Sequence, residues 1–182
     1  MKTSQLNIEQ LIDKCLLQDQ EAQLEIYDRY YKAMYNIAYR ILKNNAEAED
    51  IMQEAFLKAF TKLNTLEKST MFGAWLKRIV INLSIGALKK ESKMPKVPVN
   101  EVEFCLSEND EFKDAEINTS KTNELLQGLN KLKDSYRLVL SLHFIEGYDY
   151  KEISEIMNVT QGNVRTLISR GKESLRKKLQ VI

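Results

Sequence analysis

Eight polar residues stand in one short run near the C-terminus: Gln161, Asn163, Arg165, Thr166, Ser169, Arg170, Lys172 and Arg176. Amides and hydroxyls match the donor and acceptor pattern of base edges, a guanidinium can fork onto a guanine, and cations pair with phosphate. This is binding chemistry rather than bond-making chemistry. His143 is the only histidine, and Cys15 and Cys105 share no CxxC or Cys/His spacing. Neither a zinc site nor a histidine-based triad can be assembled from them. The expectation is a chain with no catalytic residue, no metal and no cofactor.

The elements that would position those side chains follow from local signals. Asp149 is suited to cap a helix whose buried side is Ile153, Ile156 and Met157. Gly147 can close the helix before it. A tight turn at Asn158 and Val159 then sets Thr160 as N-cap of a last helix. In that helix Val164, Leu167, Ile168 and Leu175 face inward and Gln161, Asn163, Arg165, Thr166, Ser169 and Arg170 face outward. This is the spacing of a helix-turn-helix, whose second helix reads the major groove. Its first turn offers backbone N–H groups to phosphate, and its distal Lys and Arg suit the DNA backbone. The same pattern also fits a solvated basic helix in a small bundle, and that alternative stays open here.

Across the 182 residues, 27 bases nearly balance 26 acids, and 43% of residues are hydrophobic, enough to bury a core in one or two domains. Six Gly and two Pro fall well short of the usage of turn-rich all-β folds, about 7% Gly on average. The predicted class is all-α: two small helical domains joined by a flexible acidic linker, the second containing the helix-turn-helix. The stretch from Lys93 to Lys121, which contains Pro95 and Pro98, has seven acids against four bases and little apolar periodicity. The boundaries read from this are 1–92, a linker at 93–121, and 122–182. Residues 1–92 hold 13 bases and 12 acids, and residues 122–182 hold 10 bases and 7 acids. So small a positive charge cannot supply the electrostatic term that drives most free-standing DNA binders, and a partner is implied. No apolar stretch is expected to approach the ~18 residues of a membrane span, and MKTSQLNIEQ lacks the basic start and apolar run of a signal peptide. The expected location is the cytoplasm, without membrane insertion.

In the first block apolar residues recur at helical spacing, after a short helix around Leu6 to Leu17. The runs are Tyr27–Tyr30–Tyr31–Met34–Ile37–Ala38–Ile41, Ile51–Ala55–Phe56–Ala59–Phe60–Leu63 and Phe72–Trp75–Leu76–Ile79–Val80–Leu83. The second helix carries Asp50, Gln53 and Glu54 opposite a core side of Ile51, Ala55 and Phe60, with apolar Met52 and Leu57 beside the acidic strip. Such a strip suits a basic partner helix, or else is an ordinary solvated face.

AEAEDIMQEAFLKAFTKL followed by FGAWLKRIVINLSIGALKK resembles the promoter-binding domain of bacterial RNA polymerase sigma factors of the extracytoplasmic-function (ECF) group. That pattern is a D-x-x-Q-E-x-F helix and then a W-L-x-x-I-x-x-N helix. Asp50, Gln53, Glu54 and Phe56 match the first, and Trp75, Leu76, Ile79 and Asn82 the second. The run from Leu126 to Leu179 likewise resembles that group's second domain. The resemblance covers nearly the whole chain except the linker. It implies a factor that binds core RNA polymerase and promoter DNA, directs initiation and opens the duplex, and performs no bond chemistry. By the same resemblance Asp50, Gln53, Glu54 and Leu57 would dock on the clamp helices of the polymerase largest subunit.

The resemblance gives the minus-ten element to the loop from Asn64 to Phe72 and the helix after it. Opening DNA and holding an extruded base requires stacking surface, amides and hydroxyls. Asn64, Ser69, Thr70, Phe72, Lys77, Arg78 and Asn82 offer those groups. Trp75 reads as core rather than as a stacking platform, and Asn82 could instead make a buried bond to a neighbouring helix. The minus-thirty-five element falls to the eight residues of the last helix. Tyr136, Leu138, Val139 and Leu142 match positions that pack on the polymerase flap but read as core first. Tyr148 and Tyr150 read as staples of the helix-turn-helix, and His143 as a bundle residue. The acidic linker would cross the polymerase active-site channel region. Relatives are often held by an anti-sigma partner. There is one departure: where the family commonly has an Asp, this chain reads NLSIGALKK, with Gly86 in that place. Two rivals remain at this point, a dimeric operator-binding regulator and a helical protein adaptor.

Overall fold

The structure, a computed structural model, describes residues 5–91 and 120–179. Every regular element in those residues is helical, as the sparse Gly and Pro content predicts. The chain divides into two compact units, with the cut at Ala87–Leu88, inside the last turns of the fourth helix.

In the first unit, α1 (Ile8–Leu16) begins with a reciprocal cap. Gln10 N–H donates to Asn7 Oδ1 at 2.9 Å, and Asn7 N–H donates to Gln10 Oε1 at 3.1 Å. Asp19 caps α2 (Gln20–Leu42) by accepting from Ala22 N–H at 3.1 Å, and that bond, more than nearby Lys14, holds its carboxyl below the usual range. Lys43 ends α2 in the left-handed region at φ 61°, and Asn44 caps α3 (Asn45–Thr61). Two short 3-10 turns, Leu63–Thr65 and Ser69–Met71, lead into α4 (Phe72–Glu91).

Helix α2 packs on both α1 and α3, and the 3-10 turns lie against α1. Leu11, Ile26, Met34, Phe72, Leu76 and Ile81 are fully buried, each worth about 1.5–3 kcal/mol in transfer from water. The Phe72 ring meets Tyr30 edge-on, with centroids 5.4 Å apart.

In the second unit, α5 (Ser120–Asn130) and α6 (Asp134–Leu140) are separated by a break at 131–133. Helix α6 runs into a π-helical turn, Ser141–Ile145, which the sequence reading did not foresee; Glu146 N–H donates five residues back to Ser141 O at 3.0 Å. Gly147 follows at φ 82°, a conformation that glycine adopts without strain. Helix α7 (Tyr150–Met157) carries a second capping box, Glu152 N–H to Asp149 Oδ1 at 2.8 Å and Asp149 N–H to Glu152 Oε2 at 2.7 Å. Asn158 turns the chain at φ 55°, and Thr160 Oγ1 accepts from Asn163 N–H at 3.2 Å to cap α8 (Gln161–Leu179). Helix α8 packs on α5, α6 and α7. The expected caps and turn of the helix-turn-helix are thus present; of its inward positions on α8, Val164 and Ile168 are buried and Leu167 and Leu175 half-buried.

The acidic stretch with Pro95, Pro98, Glu101, Glu103, Glu108, Asp110 and Glu111 lies outside the described residues, as does Cys105. One expectation is corrected. The helical stretch Ser69–Lys90, 22 residues, is long and apolar enough to cross a membrane by length and composition alone. More than half of its most apolar part is buried inside the protein, as in the core helix of a helical bundle.

Candidate nucleic-acid and partner interfaces

On α3 the buried side is Ala48, Met52, Ala55, Phe56 and Ala59. Asp50, Gln53 and Glu54 are exposed on the other side, and Leu57 stands among them with 70% of its surface in water. A leucine so placed on an otherwise polar face has no part in the core of its own unit. The sequence reading set Met52 beside this strip; Met52 is instead a core residue, while Ile51 and Phe60, expected in the core, are half-buried at the two edges of the packed stripe. Glu54 pairs with Lys58 at 2.9 Å, and Gln53 Nε2 lies 3.5 Å from Glu49 Oε1. Both pairs run along the helix and leave the strip exposed.

The seven residues assigned to the minus-ten element separate into two groups. Asn64, Thr70 and Asn82 are exposed, and Ser69 and Arg78 are half-buried. Phe72 and Lys77 are buried, at 0% and 6% exposure. Their assignment as surface contacts is corrected: Phe72 opens α4 pointing into the core against Tyr30, and Lys77 lies on the same helix near the buried Leu76. Asn82 is not the buried, helix-bridging amide that was the alternative. Trp75 is half-buried, its ring 6.0 Å from that of Phe72, so it borders the core without being enclosed by it.

All eight candidate residues of α8 are exposed: Gln161, Asn163, Arg165, Thr166, Ser169, Arg170, Lys172 and Arg176. Val164, Ile168 and Gly171 are buried on the opposite side, so the outward face is available along its length. Thr166 Oγ1 donates to Gly162 O at 3.0 Å, leaving its lone pairs outward. Lys172 Nζ sits 5.9 Å from the centre of the Phe144 ring, a cation–π arrangement that holds it to one flank of the helix. Glu173, the one acid on this helix, is bridged by Lys177 at 3.0 Å; the hydrogen bond first, and then the charge, hold its carboxyl below the usual range.

Leu138, Val139 and Leu142 are buried and Tyr136 is half-buried, as a core role requires. Tyr148 is buried and Tyr150 half-buried beside His143, whose Nδ1 lies 2.9 Å from Tyr148 O. These contacts tie the π-helical turn to the start of α7. Exposed Phe144 and Ile145 were missed, because a widened turn shifts the register that helical periodicity assumes. Among the described residues, no group of three or more His, Cys, Asp or Glu side chains is placed to hold a metal ion.

One helical unit thus has an exposed acidic and leucine-bearing face, and the other carries a helix-turn-helix whose outward face is rich in amides, hydroxyls and cations, the surface that a DNA-binding transcription factor would present. Residues 26–94 match the sigma-70 region 2 family and residues 122–175 match sigma-70 region 4. The chain is 36% identical to the ECF RNA polymerase sigma factor SigW of Bacillus subtilis, over 89% of this chain and 91% of that one. It is 28% identical to the ECF RNA polymerase sigma-E factor of Escherichia coli, over 94% and 96%. Among solved structures, the sigma factor RpoE in complex with the anti-sigma factor NepR from Bartonella quintana shares its fold, with a TM-score of 0.58 at 21% identity, covering 86% of this chain and 96% of that one. CnrH in complex with the cytosolic domain of CnrY does so with a TM-score of 0.56 at 19% identity, over 96% and 97%. The chain belongs to the ECF group of the sigma-70 family. It is a sigma factor that directs promoter-specific initiation of transcription.

Proposed function

We propose that the exposed face of α3 docks on the clamp helices of core RNA polymerase through Asp50, Gln53, Glu54 and Leu57, and that the two units then engage one promoter. The observation that carries this reading is the exposure of Leu57 within the acidic strip: its burial against a basic helix would supply apolar contact, while the carboxylates select the partner's charge. Asn64, Ser69, Thr70, Arg78 and Asn82 would hold the opened minus-ten strand. The outward face of α8 would lie in the major groove at the minus-thirty-five element. On the second unit, a polymerase contact would use Tyr136, Phe144 and Ile145 rather than the enclosed leucines.

The factor makes and breaks no bond itself; chemistry belongs to the polymerase. We place the domains at 1–92 and 122–182, since α4 runs unbroken to Glu91, with the acidic stretch at 93–121 crossing the active-site channel region. Work with the polymerase puts the protein in the cytoplasm. An anti-sigma factor is a fitting regulator, because one chain of similar fold, the sigma factor RpoE of Bartonella quintana, was captured with the anti-sigma factor NepR.

In vitro transcription with purified core polymerase tests the reading. Transcripts that require this chain support it. Tight operator binding without polymerase would favour a regulator, and no DNA binding in either setting would favour an adaptor. Leu57→Glu should leave the helical content unchanged, since the side chain is exposed, and weaken core polymerase binding about ten-fold or more. Unchanged binding would remove α3 as the docking face.

A further inference from the structure

We propose that the corner between α1 and α2 is a second docking surface, built to seat a basic amphipathic helix of a partner protein on Leu16, Leu17 and Leu24. The inference does not rest on the polymerase-binding role of α3. Among the described residues seven large hydrophobic side chains are exposed, and three of them fall between positions 16 and 24. Leu16 is 47% exposed, Leu17 83% and Leu24 60%. Single exposed leucines are ordinary; three within one nine-residue stretch, on both arms of a tight turn, are what a joint docking surface would present. On α2, Leu24 lies two positions from each of the buried Ala22 and Ile26, hence on the opposite side of the helix.

The corner is closed by backbone hydrogen bonds and an ion pair. Leu17 N–H donates to Lys14 O at 3.0 Å, Gln18 N–H to Cys15 O at 2.9 Å and Asp19 N–H to Lys14 O at 3.1 Å. Gln18 occupies the left-handed region at φ 63°, a strained conformation for a non-glycine residue. Lys14 and Asp19 pair across the corner at 3.4 Å. Leucines presented on a pre-organised backbone lose little freedom on binding.

Charge identifies the occupant. Residues 8–29 hold six carboxylates, Glu9, Asp13, Asp19, Glu21, Glu25 and Asp28, against Lys14 and Arg29. Both bases are already engaged by carboxylates of the corner, Lys14 by Asp19 and Arg29 by Glu25 at 2.7 Å. A second copy of this surface would bring like charges together, and the chain's own acidic stretch at 93–121 carries the same sign. A helix with aliphatic side chains on one face and Lys or Arg along its edges is complementary in both respects.

The test uses the full chain, a synthetic amphipathic Leu/Lys peptide and its Leu/Glu counterpart, followed through nitrogen-15 amide spectra and a binding titration. The Leu/Lys peptide should shift the amides of residues 16–24, and Leu17→Asp with Leu24→Asp should weaken it about ten-fold. The double variant should still bind core polymerase, whereas Leu57→Glu should leave peptide binding at the corner intact. These outcomes separate this surface from that of α3. If the double variant loses helix content, Asp13→Lys with Glu21→Lys, both exposed, makes the same test through charge. Shifts confined to α3, equal affinity for the Leu/Glu peptide, equal affinity of the variant, or self-association through the corner would each overturn the proposal.

Discussion

Leu140 of α6 packs directly on the backbone of Gly171 in α8: a Cβ at that glycine would stand 3.2 Å from Leu140 Cγ. The close approach seats the helix that carries the eight outward polar residues against the rest of its unit. Gly171→Val would force the two helices apart, and overpacking of this kind costs about 1–3 kcal/mol. The expected result is a lower urea midpoint for unfolding of the second unit. Transcription should fall most from promoters that depend on their minus-thirty-five element. A variant as stable as the parent would show that the helix–helix contact is slack.

Gly86 poses the opposite case. Nothing lies within 4 Å of a Cβ built there, and the residue sits inside α4 with an ordinary helical backbone. Gly86→Ala should therefore stabilise the chain by up to about 1 kcal/mol, the usual difference in helix propensity. Denaturant unfolding measures it, with an unchanged slope and a higher midpoint.

Arg165 and Lys177 should behave differently on DNA. Arg165 is exposed in the first half of α8, where base edges would be within reach in the proposed docking, and Arg165→Ala should relax selection at one upstream position by about 1–3 kcal/mol. Lys177 lies toward the helix end and is bridged to Glu173. Its loss removes a cation and also frees a carboxylate, so Lys177→Ala should weaken all promoters alike and reduce the salt dependence of binding. Holoenzyme binding to a set of single-base promoter variants distinguishes the two. Equal effects at every position would reverse the orientation assigned to α8.

Cys15 is buried in the first unit, and burial, with a smaller contribution from the nearby Asp19 charge, pushes its thiol up to about 11. In a Cys105→Ser background, Cys15 should resist alkylation at pH 8 until the chain unfolds, since the thiolate is the reactive form. The sign of the pH effect follows. The folded chain holds this proton more tightly than the unfolded chain, so the associated stability is complete below the ordinary thiol range. It is lost as pH rises through that range toward about 11. Unfolding midpoints across that interval, compared with Cys15→Ala, provide the measurement.

Much of the architecture was legible in residue order. Asp149, Asn158 and Thr160 act locally, through bonds to backbone groups one to four residues away, and such signals survive without knowledge of the fold. The outward set on α8 followed from the positions of Val164 and Ile168, because one buried stripe on a helix defines its exposed side. The acidic face of α3 was legible for the same reason, although the packed stripe proved narrower, with Met52 inside it and Ile51 and Phe60 at its edges.

Sequence by itself determined the helical class, the two-unit order and the helix-turn-helix, since these depend on residue inventory, period and short-range caps. Tertiary structure decided which amphipathic side chains remain in water. Phe72 and Lys77 are drawn inward, Leu57, Phe144 and the leucines at 16, 17 and 24 are left outside, and Gly171 becomes a seat for Leu140. Each of those outcomes depends on which neighbouring helix covers a given surface, and that is fixed by packing between residues far apart in the chain, which no local pattern records.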